Sequence, residues 1–294
     1  MEFIPVCQLR PKSMVIFVQV EGISKSNHSS LKFTTHQIKG AYSGGVKPGT
    51  MRRMKKAIQT LVFVSKPQTV IHPQLEHPVR FRLSFITLTL PSQQAETSDK
   101  ELIKNGLEPF LLWCRRKHKV KHYIWKAERQ KNGNLHFHIT TNRFIYYQEV
   151  QDEWNFHLQK FGMIDRFQAK HGHRSPHSTE IKAVKKMDEI ERYLQKYYMK
   201  NLPDDQKING KVWDCSLSLK SVPWPSVVID NSVNEDIEYM AGKLFDRRFE
   251  GDMCTAFWWT ERERNKMLPG WALQKLEQFR HDVLTFERTA QVSK

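Results

Sequence analysis

Cysteine is scarce in this chain: Cys7, Cys114, Cys215 and Cys254 are the four, and no two stand in a C-x-x-C spacing. That excludes a disulfide framework and a zinc ribbon and leaves ordinary reduced thiols. Long apolar runs are lacking as well. The longest near the N-terminus, Met14 to Val18, is too short for a signal sequence or a span, and Gln19 and Glu21 follow it. With no lipidation motif either, the expectation is a soluble protein of the cytoplasm with no membrane partner. No G-x-x-x-x-G-K-[ST] occurs, so the chain carries no P-loop motor, and no internal repeat is found. Acid is short relative to base: 31 Asp and Glu face 47 Lys and Arg, a net charge of +16 over 294 residues. Such a surplus attracts polyanions, nucleic acid foremost.

Residues 1–75 are weakly patterned and are expected to form an N-terminal extension with one basic helix. Thr50 is its N-cap, and the helix runs to about Val64 with Met54, Ile58, Leu61 and Val62 on one side. Arg52, Arg53, Lys55 and Lys56 crowd its start, against the macrodipole, which points to an anionic neighbour. Residues 76–220 are expected to form the main domain, and 221–294, with a helix near Leu273–Thr285, a C-terminal helical extension. Within the main domain, Phe81 to Leu90 reads as a continuously apolar strand of the kind covered on both faces. Ser98 and Glu101 form a capping box that opens a helix to about His118. A strand over 121–130, a turn at Lys131 to Gly133 and a strand over 135–142 follow. Next come a helix over 147–161, a loop over 170–178, a strand over 179–184 and a helix over 188–200. The order β-α-β-β-α-β-α predicts an α+β fold: a split-βαβ (RRM/ferredoxin-like) antiparallel sheet with helices on one face, plus N- and C-terminal helical extensions.

The strand over 135–142 carries His136 and His138. Side chains two apart on a strand share a face, so both imidazoles can reach one metal ion, while Leu135, Phe137 and Ile139 point the other way. A second pair, His171 and His173, lies in a Gly/Pro loop that fixes no geometry. The third ligand depends on hairpin register. A two-residue Asn132-Gly133 turn sets Arg129 across from His136, whereas a three-residue turn with Gly133 in the left-handed region and a bulge sets Glu128 there. The second register is the one expected, because two imidazoles and a carboxylate make an open site for Mg²⁺ or Mn²⁺.

On the helix over 188–200, residues four apart share a face, so Tyr193 and Tyr197 present two phenols side by side, each with a lysine three residues on, Lys196 and Lys200. Tyr198 falls toward the apolar face centred on Ile190 and Leu194. A phenol titrates near 10, and a neighbouring ammonium favours the phenolate and shields the charge of an approaching phosphate. The basic run Arg115, Arg116, Lys117, Lys119 and Lys121, with Trp125 and Phe137, is expected to hold and stack single-stranded nucleic acid.

In these motifs the chain resembles the HUH endonuclease superfamily, specifically its rolling-circle replication initiators (Rep proteins) of the two-tyrosine phage and plasmid type. Phe85 to Leu90 is similar to the first, structural strand motif; His136 and His138 to the metal-binding pair, with Glu128 where relatives place an acidic ligand; Tyr193 to Tyr197 to the nucleophile helix. The resemblance spans about Arg80 to Lys200. It implies sequence-specific nicking of single-stranded or hairpin origin DNA in a bacterial host, a 5′-phosphotyrosine intermediate, a free 3′-OH, and a host helicase to unwind. Transposition uses the same chemistry, and the extra phenol of Tyr198 leaves open which tyrosine attacks. The other readings are a noncatalytic single-stranded nucleic-acid-binding module, for which no RNP octapeptide is evident, and a small-substrate metallohydrolase, which leaves the +16 charge unexplained.

Overall fold

A computed structural model of the chain describes residues 3–20, 48–71, 77–94, 97–184, 207–243, 247–251 and 254–287. In chain order its elements are β1 (Phe3–Arg10), β2 (Ser13–Val20), α1 (Pro48–Val64), β3 (Gln68–Val70), β4 (Val79–Phe81) and β5 (Leu83–Leu88). There follows α2, which is Asp99–Leu102 continued by a π-helical turn Ile103–Leu107 and by Glu108–Lys117. Then come β6 (Tyr123–Arg129), β7 (Leu135–Thr141), α3 (Tyr147–Gln159), α4 (Met163–His171), β8 (Thr179–Val184), β9 (Trp213–Cys215) and α5 (Leu217–Ser221). The last elements are β10 (Ser226–Val228), α6 (Asn231–Lys243), β11 (Arg248–Gly251), β12 (Cys254–Trp258), α7 (Glu261–Met267) and α8 (Gly270–Thr285). They fall into two compact units: Tyr42–Ser221, and Met1–Ala41 together with Val222–Lys294.

The Tyr42–Ser221 unit is built on a five-stranded sheet in the order β8-β5-β7-β6-β9, every neighbouring pair antiparallel. Omitting β9, the succession β5-α2-β6-β7-α3-β8 laid out as 8-5-7-6 is the split-βαβ arrangement, so the fold is α+β as the sequence predicts. Alternation along the strands separates the faces. Ile86, Leu88, Trp125, Ala127, Leu135, Phe137 and Ile139 turn to one side and pack with Leu102, Leu107, Phe110 and Leu111 of α2 and with Val150, Trp154 and Leu158 of α3. Burying this layer is the main driving force for the unit, at about 1.5–3 kcal/mol for each large apolar side chain. At the start of α2 the Ser98 hydroxyl accepts from the Glu101 backbone N–H at 3.2 Å. α1 packs against β6 and α5, so the basic helix is part of this unit rather than of a separate extension ending at residue 75.

The other unit corrects the expectation of helical extensions at the two ends. Its centre is a second five-stranded sheet, β10-β1-β2-β12-β11, in which strands from both ends of the chain pair. The run Met14 to Val18, too short for a membrane, lies within β2. Buried Cys7, Leu9, Met14 and Phe257 share one face of that sheet, and α8 packs against β1 with Ala272, Leu276, Phe279 and Val283 buried. Among the described residues no helix is long and apolar enough to cross a membrane.

Candidate metal centre

The β6–β7 hairpin has the three-residue turn. Gln130 N–H donates to Asn134 O at 2.8 Å, Gly133 N–H donates to Gln130 O at 2.9 Å, and Gly133 sits at φ 84°. Only glycine reaches that left-handed region without steric cost. The ladder then pairs Arg129 with Leu135, Glu128 with His136 and Lys126 with His138. Several polar contacts hold this end of the hairpin. The Asn134 side chain donates to Ser92 O and accepts from Gln94 N–H, both at 2.9 Å, and Leu135 N–H donates to Gln94 Oε1 at 3.1 Å. Arg129 donates to Gly133 O and forms an ion pair with buried Asp99 at the start of α2. Asp99 accepts in addition from Gln94 Nε2 at 2.8 Å and from Asn209 N–H at 2.9 Å. The segments after β5, before α2 and before β9 are thereby tied to one turn.

That register places Glu128, His136 and His138 on the face of the sheet away from α2 and α3. Among the described residues they are the one group of three metal-type donors, with ligand atoms all within 4.8 Å of one another. Glu128 Oε2 is 3.5 Å from His136 Nε2 and 3.7 Å from His138 Nε2, and the two Nε2 atoms are 2.9 Å apart. Burial alone would raise the Glu128 carboxyl, but hydrogen bonds from His136 and Lys126 and the charge of Lys126 bring it down to about 2. Burial, then the neighbouring His136, hold His138 down to about 3 against the opposing pull of Glu128. At neutral pH the site therefore offers a carboxylate and, on His138, a ring with a free lone pair. Two ring nitrogens facing each other at hydrogen-bond distance beside a carboxylate oxygen are satisfied together by one small divalent cation. The donor set fits such an ion, and its oxygen content suits Mg²⁺ or Mn²⁺.

Sequence reasoning missed two residues here. Thr87 of β5 lies opposite His138 in the ladder, with its Oγ1 3.3 Å from His138 Nδ1, while Phe85 stacks on the same ring at 5.3 Å between centroids. Lys126 is 2% exposed, with Nζ 2.8 Å from Glu128 Oε1. The signal for both was period two: Lys126 precedes Glu128 by two on β6, and Thr87 lies in the strand motif already singled out.

Other expected site residues are placed differently. Trp125 is 4% exposed, on the helix-covered face, with its ring edge-on to Phe137 at 6.4 Å. Neither ring can stack on a base, which corrects that expectation: residues 125 and 137 are odd-numbered neighbours of 126, 136 and 138 and so point into the opposite layer. Arg115, Arg116 and Lys117 are exposed in the last turn of α2, with Lys117 paired to Glu149 at 2.8 Å. Lys119 and Lys121 are exposed in the loop that follows. This run enters β6 at Tyr123, five residues from Glu128, or about 17 Å along the strand. His171 and His173 both pack on Phe167, at 4.4 and 5.1 Å, on the exposed end of α4. Tyr193, Lys196, Tyr197 and Lys200 lie outside the described residues.

The comparisons with known proteins bear on the same stretch. Residues 83–202 match the family model for replication-associated proteins of the ORF2 type. The matched segment begins at β5, contains Glu128, His136 and His138, and extends past Lys200, although it covers less than half of the 294 residues. It supports a replication-associated protein of the Rep initiator type, and with it a role in DNA replication. No curated protein and no solved structure matches the chain. Charge follows the same division. Tyr42–Ser221 holds 32 Lys and Arg against 17 Asp and Glu, or +15, while the other unit holds 15 against 14, or +1. The field that attracts a polyanion thus belongs to the unit that carries the metal-type site.

Proposed function

We propose that the Tyr42–Ser221 unit is a metal-dependent nuclease that nicks single-stranded DNA at a specific origin, keeps the end as a 5′-phosphotyrosine and transfers it, so initiating rolling-circle replication of a phage, plasmid or related mobile element. The observation that carries this reading is the convergence of Glu128, His136 and His138 within a segment similar to replication-associated proteins. Those three residues would hold Mg²⁺ or Mn²⁺. When bound, the ion supplies polarisation of the phosphoryl oxygens and alignment of the scissile bond.

The remaining chemistry falls to Tyr193 or Tyr197, with Lys196 and Lys200 favouring the phenolate. The phenolic oxygen attacks phosphorus, the P–O3′ bond breaks, the phenol gives up its proton, and the departing 3′ oxygen takes one to become a free hydroxyl. An ester replaces an ester, so the bond is conserved for rejoining, and a second tyrosine allows two transfers in succession. Unwinding of the duplex would come from a host helicase.

Incubating the full chain with single-stranded origin-type DNA and Mn²⁺ should give a covalent protein–DNA adduct, lost in His136→Ala/His138→Ala and in Tyr193→Phe/Tyr197→Phe. An adduct unchanged by either pair refutes the mechanism. DNA binding that is indifferent to chelator, with no adduct at all, would instead favour a noncatalytic single-strand binder, the second use of a split-βαβ sheet. A transposase would give the same adduct but would mobilise a flanked segment in cells rather than replicate an origin plasmid.

A further inference from the structure

A lysine that is 2% exposed requires an account, because burying an ammonium is costly unless it is paired. Lys126 meets that condition inside the metal-type site. Its ladder partner on β7 is His138, and its Nζ lies 2.8 Å from Glu128 Oε1. The Glu128 carboxylate is thus divided: Oε1 faces the ammonium, and Oε2 faces the two imidazoles at 3.5 and 3.7 Å. One anionic carboxylate, one ammonium and neutral imidazoles sum to zero charge. An ordinary cage for a divalent ion is anionic, and its carboxylates offset the charge that the ion brings. Here an incoming M²⁺ adds two positive charges beside an ammonium it cannot displace from the strand, and the local charge becomes +2.

We propose that Lys126 is a positioning residue that makes cation binding depend on DNA: the site takes its metal tightly only when backbone phosphates supply the missing negative charge. This inference rests on the nuclease reading above and deepens it. The phosphodiester groups flanking the scissile bond carry one negative charge each, so a nucleotide strand laid over the site restores neutrality around the ion and Lys126 together. Lys126 would have a second effect through Glu128. With Oε1 held by the ammonium, the carboxylate is presented through Oε2 alone, which leaves coordination positions for phosphate oxygens rather than filling them with a bidentate carboxylate. Coupling of this kind is reciprocal, so metal must strengthen DNA binding by the factor by which DNA strengthens metal binding.

The test is Mn²⁺ titration of the full chain, read as free Mn²⁺ by electron paramagnetic resonance, with and without a saturating single-stranded oligonucleotide. Wild-type protein should bind Mn²⁺ weakly alone and about 5- to 150-fold more tightly with the oligonucleotide. In Lys126→Met the Mn²⁺ affinity without DNA should rise about tenfold or more, and the oligonucleotide should then add little. Lys126→Gln, which keeps a polar group for Glu128 Oε1, should behave in the same direction. Coupling in the wild type that Lys126→Met and Lys126→Gln leave unchanged overturns the inference, as does a wild-type affinity that the oligonucleotide does not alter. Unfolding of both variants would make Lys126 a structural residue and overturn it equally. Mn²⁺ binding that survives His138→Ala would instead refute the metal centre itself, so the two failures are distinguishable.

Discussion

Replacing Thr87 by valine removes one hydroxyl and almost no volume, and it asks how firmly His138 is set for its role. The ring can hold a cation through Nε2 only if its proton sits on Nδ1. Thr87 Oγ1, 3.3 Å from Nδ1, is placed to accept that proton's hydrogen bond. In the valine variant the Nδ1–H loses this acceptor, while Nε2 still has Glu128 Oε2 at 3.7 Å and His136 Nε2 at 2.9 Å as partners. The ring then favours the tautomer protonated on Nε2, and cation binding must move the proton back. A hydrogen bond is worth about 0.5–1.5 kcal/mol net, and leaving a buried donor unmade costs about 1–3 kcal/mol. The expected loss of roughly 1.4–2.8 kcal/mol is about 10- to 100-fold in Mn²⁺ affinity, in line with the usual effect of removing an outer hydrogen-bond partner of a metal-binding histidine. Thr87→Ser, which keeps the acceptor, should recover most of it. Titrations read by free Mn²⁺ resonance measure all three proteins. An affinity in Thr87→Val within twofold of wild type would show that the tautomer is not set from β5, and the reasoning would fail.

Acidification should destabilise the fold before any carboxylate is protonated. Burial holds His122 and His157 down to about 4 and His138 to about 3, so between pH 6.5 and about 4 the unfolded chain binds protons that the native one does not, and stability falls as pH falls. Urea unfolding at pH 7 and pH 4.5 should differ by on the order of 1–3 kcal/mol per histidine, and equal midpoints would contradict it. Asp99→Ala removes a buried partner of Arg129 and an acceptor for Gln94 and Asn209, so it should cost about 3 kcal/mol in the same assay. Gly133→Ala forces a side chain into the left-handed region at φ 84°, at about 1–2 kcal/mol, although nothing lies within 4 Å of the added carbon. Trp125→Ala should lower stability by about 3–5 kcal/mol, while single-strand affinity of the folded fraction stays unchanged; a selective loss of DNA binding would reinstate its ring as a stacking platform.

Much of the Tyr42–Ser221 unit was legible because its signals are local. Continuous apolarity marked β5, and the Ser98 cap marked α2. The Gly133 turn fixed the register that brings Glu128 opposite His136, since a shift of one residue would have sent the carboxylate to the other face. The second sheet was illegible for the opposite reason. β1 and β10 are more than 200 residues apart, and neither carries a pattern strong enough to announce a partner at that distance. The stacking role given to Trp125 failed on parity. An aromatic beside a basic run suggests nucleic acid, but on a strand the odd and even positions part company, and Trp125 goes with the core. Lys126 was overlooked because a lysine on a strand is ordinarily solvent-facing, and only the closeness of Glu128, His138 and their neighbours makes it a buried charge.

The central claim is that Glu128, His136 and His138 hold one divalent ion, and anomalous scattering from a crystal grown with Mn²⁺ tests it most directly. The account predicts a single strong peak at coordination distance, about 2.0–2.3 Å, from Glu128 Oε2 and from both Nε2 atoms. A map with no peak there, or with manganese bound only at other residues, would contradict it.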